Sequence, residues 1–209
     1  MQLRYGTNDH TMILLTNIFL FFCAIISTLT YFILLEKYTK NIQPEHARRL
    51  SHIGGSFAAI IFNYIVPQNI FALILISFIA IMIISKKAKF FPHIHNVKRN
   101  TFGEELLPLG FLFALFITNG NPYLFMICIL IIGIADPLTG AIMQLYNNNL
   151  FGFVVFFSVT FFILSFSNMT IYQGLFSSII IALTERMFSY GTDNLTVPIV
   201  TGILLMFFT

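Results

Sequence analysis

Residues 123–140 read YLFMICILIIGIADPLTG. No polar side chain interrupts the run from Tyr123 to Ala135, and a carboxylate, Asp136, then arrives with a proline behind it. A bilayer core about 30 Å thick takes roughly 20 helical residues to cross, so the run predicts a membrane-embedded helix. Burying the acid unpaired would cost several kcal/mol, about 2.5–3.5 on insertion scales, so Asp136 needs a partner, a ligand or interfacial water. Reading outward from this segment, similar apolar runs lie near 12–36, 53–67, 70–85, 106–119, 150–167, 170–185 and 195–209. Short polar joints separate several of them: Pro67-Gln68-Asn69, Asn119-Gly120-Asn121-Pro122 and Ser167-Asn168. The pattern predicts an all-α, polytopic membrane bundle of seven or eight transmembrane helices, forming one domain over 1–209 with no internal repeat. Some runs are short for a full crossing, so those helices must recruit polar ends or lie half-buried among the others.

Composition agrees. Of the 209 residues 57% are hydrophobic and 9% charged, against about 25% charge in an average soluble domain, and mean hydropathy is +0.87. Too few polar atoms are present to cover a water-facing surface, and hydrophobicity this high excludes disorder. Strands of an outer-membrane barrel would alternate with period two, which these runs do not. Cys23 and Cys128 both sit inside apolar runs and read as lipid-buried thiols rather than a disulfide or metal pair. Residues 1–11 lack a basic leader and the first apolar run is too long for a signal sequence, so none is expected.

Charge is distributed unevenly. Ten of the eleven basic residues, all but Arg4, fall in alternate loops that an eight-span topology puts on one side: Lys37, Lys40, Arg48, Arg49, Lys86, Lys87, Lys89, Lys98, Arg99 and Arg186. The positive-inside rule makes those loops cytoplasmic. Seven of the eight acids, all but Asp9, cluster at the same face, although acids do not follow that rule. The chemistry is therefore expected at the cytoplasmic interface of an integral membrane protein surrounded by lipid. A net charge of +3 gives no reason to expect a nucleic-acid partner.

Four clusters on that face carry chemistry. Glu45-His46-Ala47-Arg48-Arg49-Leu50-Ser51-His52 puts Arg48 and His52 on one helical face, where guanidiniums suit an anionic ligand such as phosphate, although arginines here also serve as headgroup anchors. Lys98-Arg99-Asn100-Thr101-Phe102-Gly103-Glu104-Glu105, followed by Pro108 and Gly110, could form an irregular loop dipping into the bundle, or an ordinary juxtamembrane loop with Thr101 as a cap. Asp136 is expected at a helix C-terminus, where it would oppose the macrodipole and favour a bound cation. Glu185-Arg186 and Gly191-Thr192-Asp193-Asn194-Leu195-Thr196-Val197-Pro198 offer a further acid pair plus an amide; Asp193 and Asn194 are either caps of the last helix or hard oxygen ligands for Mg²⁺. His93 and His95 read as an interfacial loop rather than a zinc site. The sequence has no Walker A motif, dinucleotide-binding glycine fingerprint or nucleophile elbow. The Phe-rich stretch 151–157 reads as lipid-facing or bundle-packing surface.

In this order the four clusters resemble the CTP-dependent lipid-alcohol kinases, the family of phytol, dolichol and related prenol kinases, which is distantly similar to phosphatidate cytidylyltransferase. Arg48-Arg49-Leu50-Ser51-His52 resembles the family's Arg-Lys-x-x-His segment. Arg99-Asn100-Thr101-Phe102-Gly103-Glu104 with Pro108 and Gly110 resembles its Arg-x-Ser-Tyr-Gly-Glu loop and Pro-x-Gly. Ala135-Asp136-Pro137 with Gly140 resembles its Ala-Asp-Pro segment, and Glu185 with Gly191-x-Asp193-Asn194-Leu195-Thr196-Val197-Pro198 its C-terminal signature. The resemblance spans residues 48–198 and implies transfer of the terminal phosphate of CTP to a prenol, with CTP and Mg²⁺ as donor and cofactor. On that reading Asp136, Asp193 and Asn194 hold the metal, and Arg48, Arg49, Lys98 and Arg99 neutralise phosphate charge. His52, Glu104 or Glu185 would orient or deprotonate the alcohol, and the three are not ranked.

The chain departs from the family after Gly140. A basic Gly-Arg-Arg-x-Gly stretch and a Lys-Ser/Thr-x-x-Gly-Ser segment are replaced by Ala141-Ile142-Met143-Gln144-Leu145-Tyr146-Asn147-Asn148-Asn149, and only Gly152 survives. Weaker nucleotide binding, a different donor or lost activity are the open expectations, with Lys86, Lys87 and Lys89 as the cations able to compensate. The alternatives are a CTP-dependent cytidylyltransferase-like enzyme and a non-catalytic transporter or scaffold.

Overall fold

The structure, a computed structural model, describes residues 6–92, 102–188 and 191–209, with side chains from residue 11 onward in the first stretch. Every element in these residues is helical: α1 Gly6–Tyr38, α2 Pro44–Ile65, α3 Gln68–Ala88, α4 Gly103–Ile117, α5 Pro122–Leu130, α6 Asp136–Tyr146, α7 Asn149–Leu164, α8 Ile171–Met187 and α9 Asp193–Phe208. A π-helical segment, Ile131–Ala135, joins α5 to α6 so that Pro122–Tyr146 is one 25-residue rod. Three helical stretches, Thr11–Tyr38, Gln68–Ala88 and Pro122–Tyr146, are long and apolar enough to cross a membrane. Two more, α7 and α9, are apolar but only 16 residues each, about 24 Å at 1.5 Å per residue.

Local chemistry explains where the helices start and turn. Asn121 and Asn148 cap α5 and α7, their side chains accepting from the backbone N–H groups of Tyr123 and Leu124, and of Leu150 and Phe151. Thr170 and Gln173 form a reciprocal capping box on α8. Asn119, Gly120 and Asn147 take positive φ in the intervening turns, the region that Asn and Gly enter most readily.

The expectation that the helix ends at Asp136 is corrected. Pro137 has no N–H and its ring would crowd the carbonyl four residues back, which ordinarily stops or kinks an α-helix. Here the π-helical spacing over Ile131–Ala135 absorbs the mismatch, and the rod continues to Tyr146. Asp136 therefore lies inside a continuous rod, in the first turn of α6, and the macrodipole argument for a cation falls away.

Phe71, Phe125 and Phe156 are fully buried with Ile74, Leu115, Ile127, Ile131 and Ile181. The outward face of α1, with Met12, Leu15, Phe19, Phe22 and Ile26, is broadly exposed and apolar, as lipid contact requires. In the Phe-rich stretch Phe156 is buried and Phe151 exposed, so it serves both packing and the outer surface. Cys23 and Cys128 are both free thiols, with Cys128 buried and Cys23 exposed on the apolar α1.

Close backbone approach holds the polar end of the bundle together. α4 and α9 form the most extensive helix pair. Gly110 abuts the carbonyl of Asn194, and a Cβ there would overlap it. That carbonyl receives no intrahelical N–H from residue 198, because Pro198 has none to give. Gly191, at φ +88°, lies against the backbone of Gly103, again with no room for a Cβ. On the other side, the Tyr31 hydroxyl of α1 donates to Leu50 O at 2.7 Å over Gly54, and Gly133 receives Ser56 of α2.

Candidate active site

The N-terminal turns of α2, the first turn of α6, the end of α8 and the starts of α4 and α9 meet at one end of the bundle. His52, on α2, is 3% exposed, with Nδ1 3.4 Å from Asp136 Oδ2. That is long for a hydrogen bond, though catalytic pairs commonly tighten only around substrate. His52 Nε2 is buried with no hydrogen-bond partner among the described residues.

Arg49 ties the same two helices, its Nη2 donating to Gly140 O at 2.7 Å while Nη1 is buried and unpartnered among the described residues. One arm of the guanidinium fork is structural and the other is free to meet an anion. Gln144 Nε2 donates to Gln43 Oε1 at 3.0 Å just beyond it. Arg48 Nε lies 3.4 Å from Glu45 Oε2, one helical turn back.

Three carboxylates converge beside this group. Asp193 lies within electrostatic reach of Asp136, His52 and Arg48, and Glu185 within reach of Asp136, Asp193 and Arg186. Asp136 interacts with both Arg48 and Arg49. Asn194, 1% exposed, donates from Nδ2 to Gly103 O at 2.8 Å, and its Oδ1 is buried without a partner among the described residues. The expected cap is therefore corrected: Thr192 holds the N-cap position of α9, no side chain caps the helix, and the Asn194 amide is spent on α4 instead.

A hard divalent cation is tested by these donors. Among the described residues no group of three or more His, Cys, Asp and Glu side chains could hold a metal ion. Mg²⁺, however, usually takes one or two carboxylates with waters and phosphate oxygens rather than a protein cage. Asp136, Asp193 and the orphaned Oδ1 of Asn194 fit that donor set.

Glu104 lies in the first turn of α4, half-buried at the mouth of a cavity. The cavity, about 70 Å³ and partly open, lies between α1, α2, α3 and α4. Ser51, His52 and Glu104 stand at its polar end, and Phe32, Phe62, Phe71, Ile74, Leu75, Phe78 and Phe111 line the rest. The mix of many apolar walls with few convergent polar groups is typical of small-molecule sites.

Of the residues singled out in sequence, the structure thus gathers Arg48, Arg49, His52, Asp136, Glu185, Asp193 and Asn194, with Glu104 across the cavity mouth from His52. Lys98, Arg99, Thr101, His93 and His95 lie outside the described residues. The expected irregular loop does not extend past Phe102: α4 begins at Gly103 and carries Pro108 inside it. Lys86 forms an ion pair with Glu105 at 2.8 Å, so of the three lysines able to compensate for the lost basic segment, this one is engaged. Ser51 at the cavity, the Gly140 carbonyl and the Gly103–Gly191 contact were not anticipated. Their signal is spatial, joining residues some 90 positions apart.

Compared with family models, with curated proteins and with solved structures, the chain matches none of them.

Proposed function

We propose that this protein is a membrane-embedded lipid-alcohol kinase that transfers the terminal phosphoryl group of CTP to a prenol. The observation that carries the reading is one apolar cavity whose polar end is made by His52 and Glu104, with His52 held against Asp136 beside Arg49, Asp193 and Asn194. A long apolar chain bearing one terminal hydroxyl matches that polarity. The choice of CTP rests on the resemblance of the four segments to the prenol kinases.

In this mechanism the acceptor's tail lies in the cavity and its hydroxyl stands at His52. The Nδ1 side of His52 is turned to Asp136, which fixes the tautomer and leaves Nε2 as the base. His52 therefore ranks above Glu104 and Glu185 for proton removal. The alcohol oxygen forms its bond to the γ-phosphorus as the bond to the bridging oxygen breaks. CDP leaves, and the hydroxyl proton passes to Nε2. Arg48 and the free arm of Arg49 offset charge on the transferred group. Asp136 Oδ1, Asp193 and Asn194 Oδ1 would hold Mg²⁺, which supplies further neutralisation of phosphate charge when bound. The seven- or eight-span topology and the cytoplasmic placement of the site belong to the same proposal, supported by the distribution of Lys and Arg.

The test uses purified protein in lipid nanodiscs with CTP, Mg²⁺ and geranylgeraniol. Formation of CDP and geranylgeranyl phosphate supports the kinase. Pyrophosphate with a CDP-lipid, formed from phosphatidate, replaces it with the cytidylyltransferase reading, and release of neither from folded protein overturns both.

A further inference from the structure

The turn of α2 that carries His52 is held from two sides. At Ser56 it meets Gly133 of the π-helical segment, where a Cβ on the glycine would overlap Ser56 Cβ and stand 2.5 Å from its Oγ. At Gly54 it meets Tyr31 of α1, whose ring leaves no room for a Cβ and whose hydroxyl donates to Leu50 O at 2.7 Å. With 3.6 residues per turn, Gly54 and Ser56 stand about 200° apart around the helix, so the two contacts oppose each other. His52, one turn before Ser56, shares its face, and Asp136 follows Gly133 by three residues on the central rod. Resting on the kinase reading for its catalytic consequence, we infer that Gly54 and Gly133 are positioning residues: they clamp residues 50–56 between α1 and the rod and so set His52 against Asp136.

Shape, rather than hydrogen bonding, makes the contact on the rod side. Ser56 is 2% exposed, and its Oγ has no partner among the described residues. Carbon atoms in ordinary contact lie about 3.5–4.0 Å apart, so a methyl group at Gly133 would force a displacement on the order of 1 Å. α2 has no retreat in the opposite direction, because Gly54 already rests on Tyr31. The displacement therefore falls on the 3.4 Å separation of His52 Nδ1 and Asp136 Oδ2, one turn away. None of Gly54, Ser56 and Gly133 lines the cavity, so the effect reaches the acceptor through the His52–Asp136 pair and not through the apolar walls.

The test moves one methyl group across the contact. Gly133→Ala, Ser56→Gly and the double variant are compared in nanodiscs by two readouts. One is the downfield Nδ1 proton of His52 in ¹⁵N-histidine-labelled protein without substrate, identified by its absence from His52→Gln. The other is phosphorylation of geranylgeraniol from CTP. Gly133→Ala should lose the Nδ1 signal and lower kcat by about 10²-fold, as a misplacement of about 1 Å can, with the KM for the alcohol little changed. The double variant, in which Ser56→Gly vacates the space that the alanine fills, should regain both. A folded Gly133→Ala that keeps the signal overturns the clamp, whatever its turnover. So does a double variant that folds without the signal, or an unaltered protein that lacks it. Should Gly133→Ala not fold alone, recovery of fold and signal in the double variant supports the clamp, and failure to recover them overturns it. Signal lost and regained as expected, with no phosphorylation even by the unaltered protein, keeps the clamp and overturns the kinase.

Discussion

On the proposed kinase reading, the chemistry turns on His52 and Asp136. An imidazole 3% exposed, with Nδ1 at a carboxylate and Nε2 unpartnered among the described residues, suits a base with one face fixed and the other available. Asp136→Asn keeps the shape and removes the charge that orients and supports the imidazolium. It should lower kcat by about 10²–10⁴-fold, the usual range for general-base catalysis, with the KM for the alcohol little changed. His52→Ala should lose as much, and the double variant less than the product of the two, because Asp136 acts partly through His52 and partly through the proposed metal site. Asp193→Asn is read without turnover: binding of Mn²⁺ in place of Mg²⁺, followed by electron paramagnetic resonance, should weaken at least tenfold, and unchanged Mn²⁺ affinity would remove Asp193 from the metal site. Asp136 was legible in the sequence because a carboxylate closing a 13-residue apolar run has no cheap structural explanation. Its surroundings were not, since a partner such as His52 becomes a neighbour only when α2 packs on the central rod.

At the scale of the helices, the seam between α4 and α9 sets the start of α9, and with it Asp193 and Asn194. Gly191 has φ +88° and its Cα meets the Gly103 backbone. Gly191→Ala should cost at least about 1–2 kcal/mol from the left-handed conformation alone, seen as a lower melting temperature in detergent. Asn194→Ala removes the buried hydrogen bond to the Gly103 carbonyl, a loss of about 0.5–1.5 kcal/mol. It should lower stability and Mn²⁺ affinity together, whereas Gly55→Ala, inside α2 where a Cβ meets nothing within 4 Å, should raise stability by about 0.5–1 kcal/mol. The apolar runs made the helices themselves readable. The continuation through Pro137 was not readable, because a proline ordinarily stops a helix and nothing in composition announces a π-helical turn. The tight glycines were likewise silent, since a glycine's packing role depends on what lies opposite it.

For the molecule as a whole, the polar ends of α2, α3, α4, α6, α8 and α9 gather around one site, and the long apolar surfaces of α1 and α3 are left for lipid. With Cys23 and Cys128 replaced, single cysteines at Lys40 and Asn147 should react with a membrane-impermeant maleimide from one side of oriented vesicles. Those at Asn119 and Ser165 should react from the other. Labelling of all four from one side would refute the antiparallel arrangement. The all-helical, membrane-suited class could be read from hydropathy alone, because lipid imposes one rule on every segment; of the seven or eight expected spans, three helical stretches are long and apolar enough to cross. The cavity could not, as it exists only where the small face of α2 meets the large side chains of α3 and α4.

The most direct measurement follows the phosphorus. Nanodisc-embedded protein is given CTP labelled either at the γ- or at the α-phosphate, with geranylgeraniol and Mg²⁺, and the extracted lipid is counted. The account predicts label in the lipid from γ-labelled CTP alone, abolished by Asp136→Asn. Lipid that gains no γ-label while the protein remains folded would contradict it.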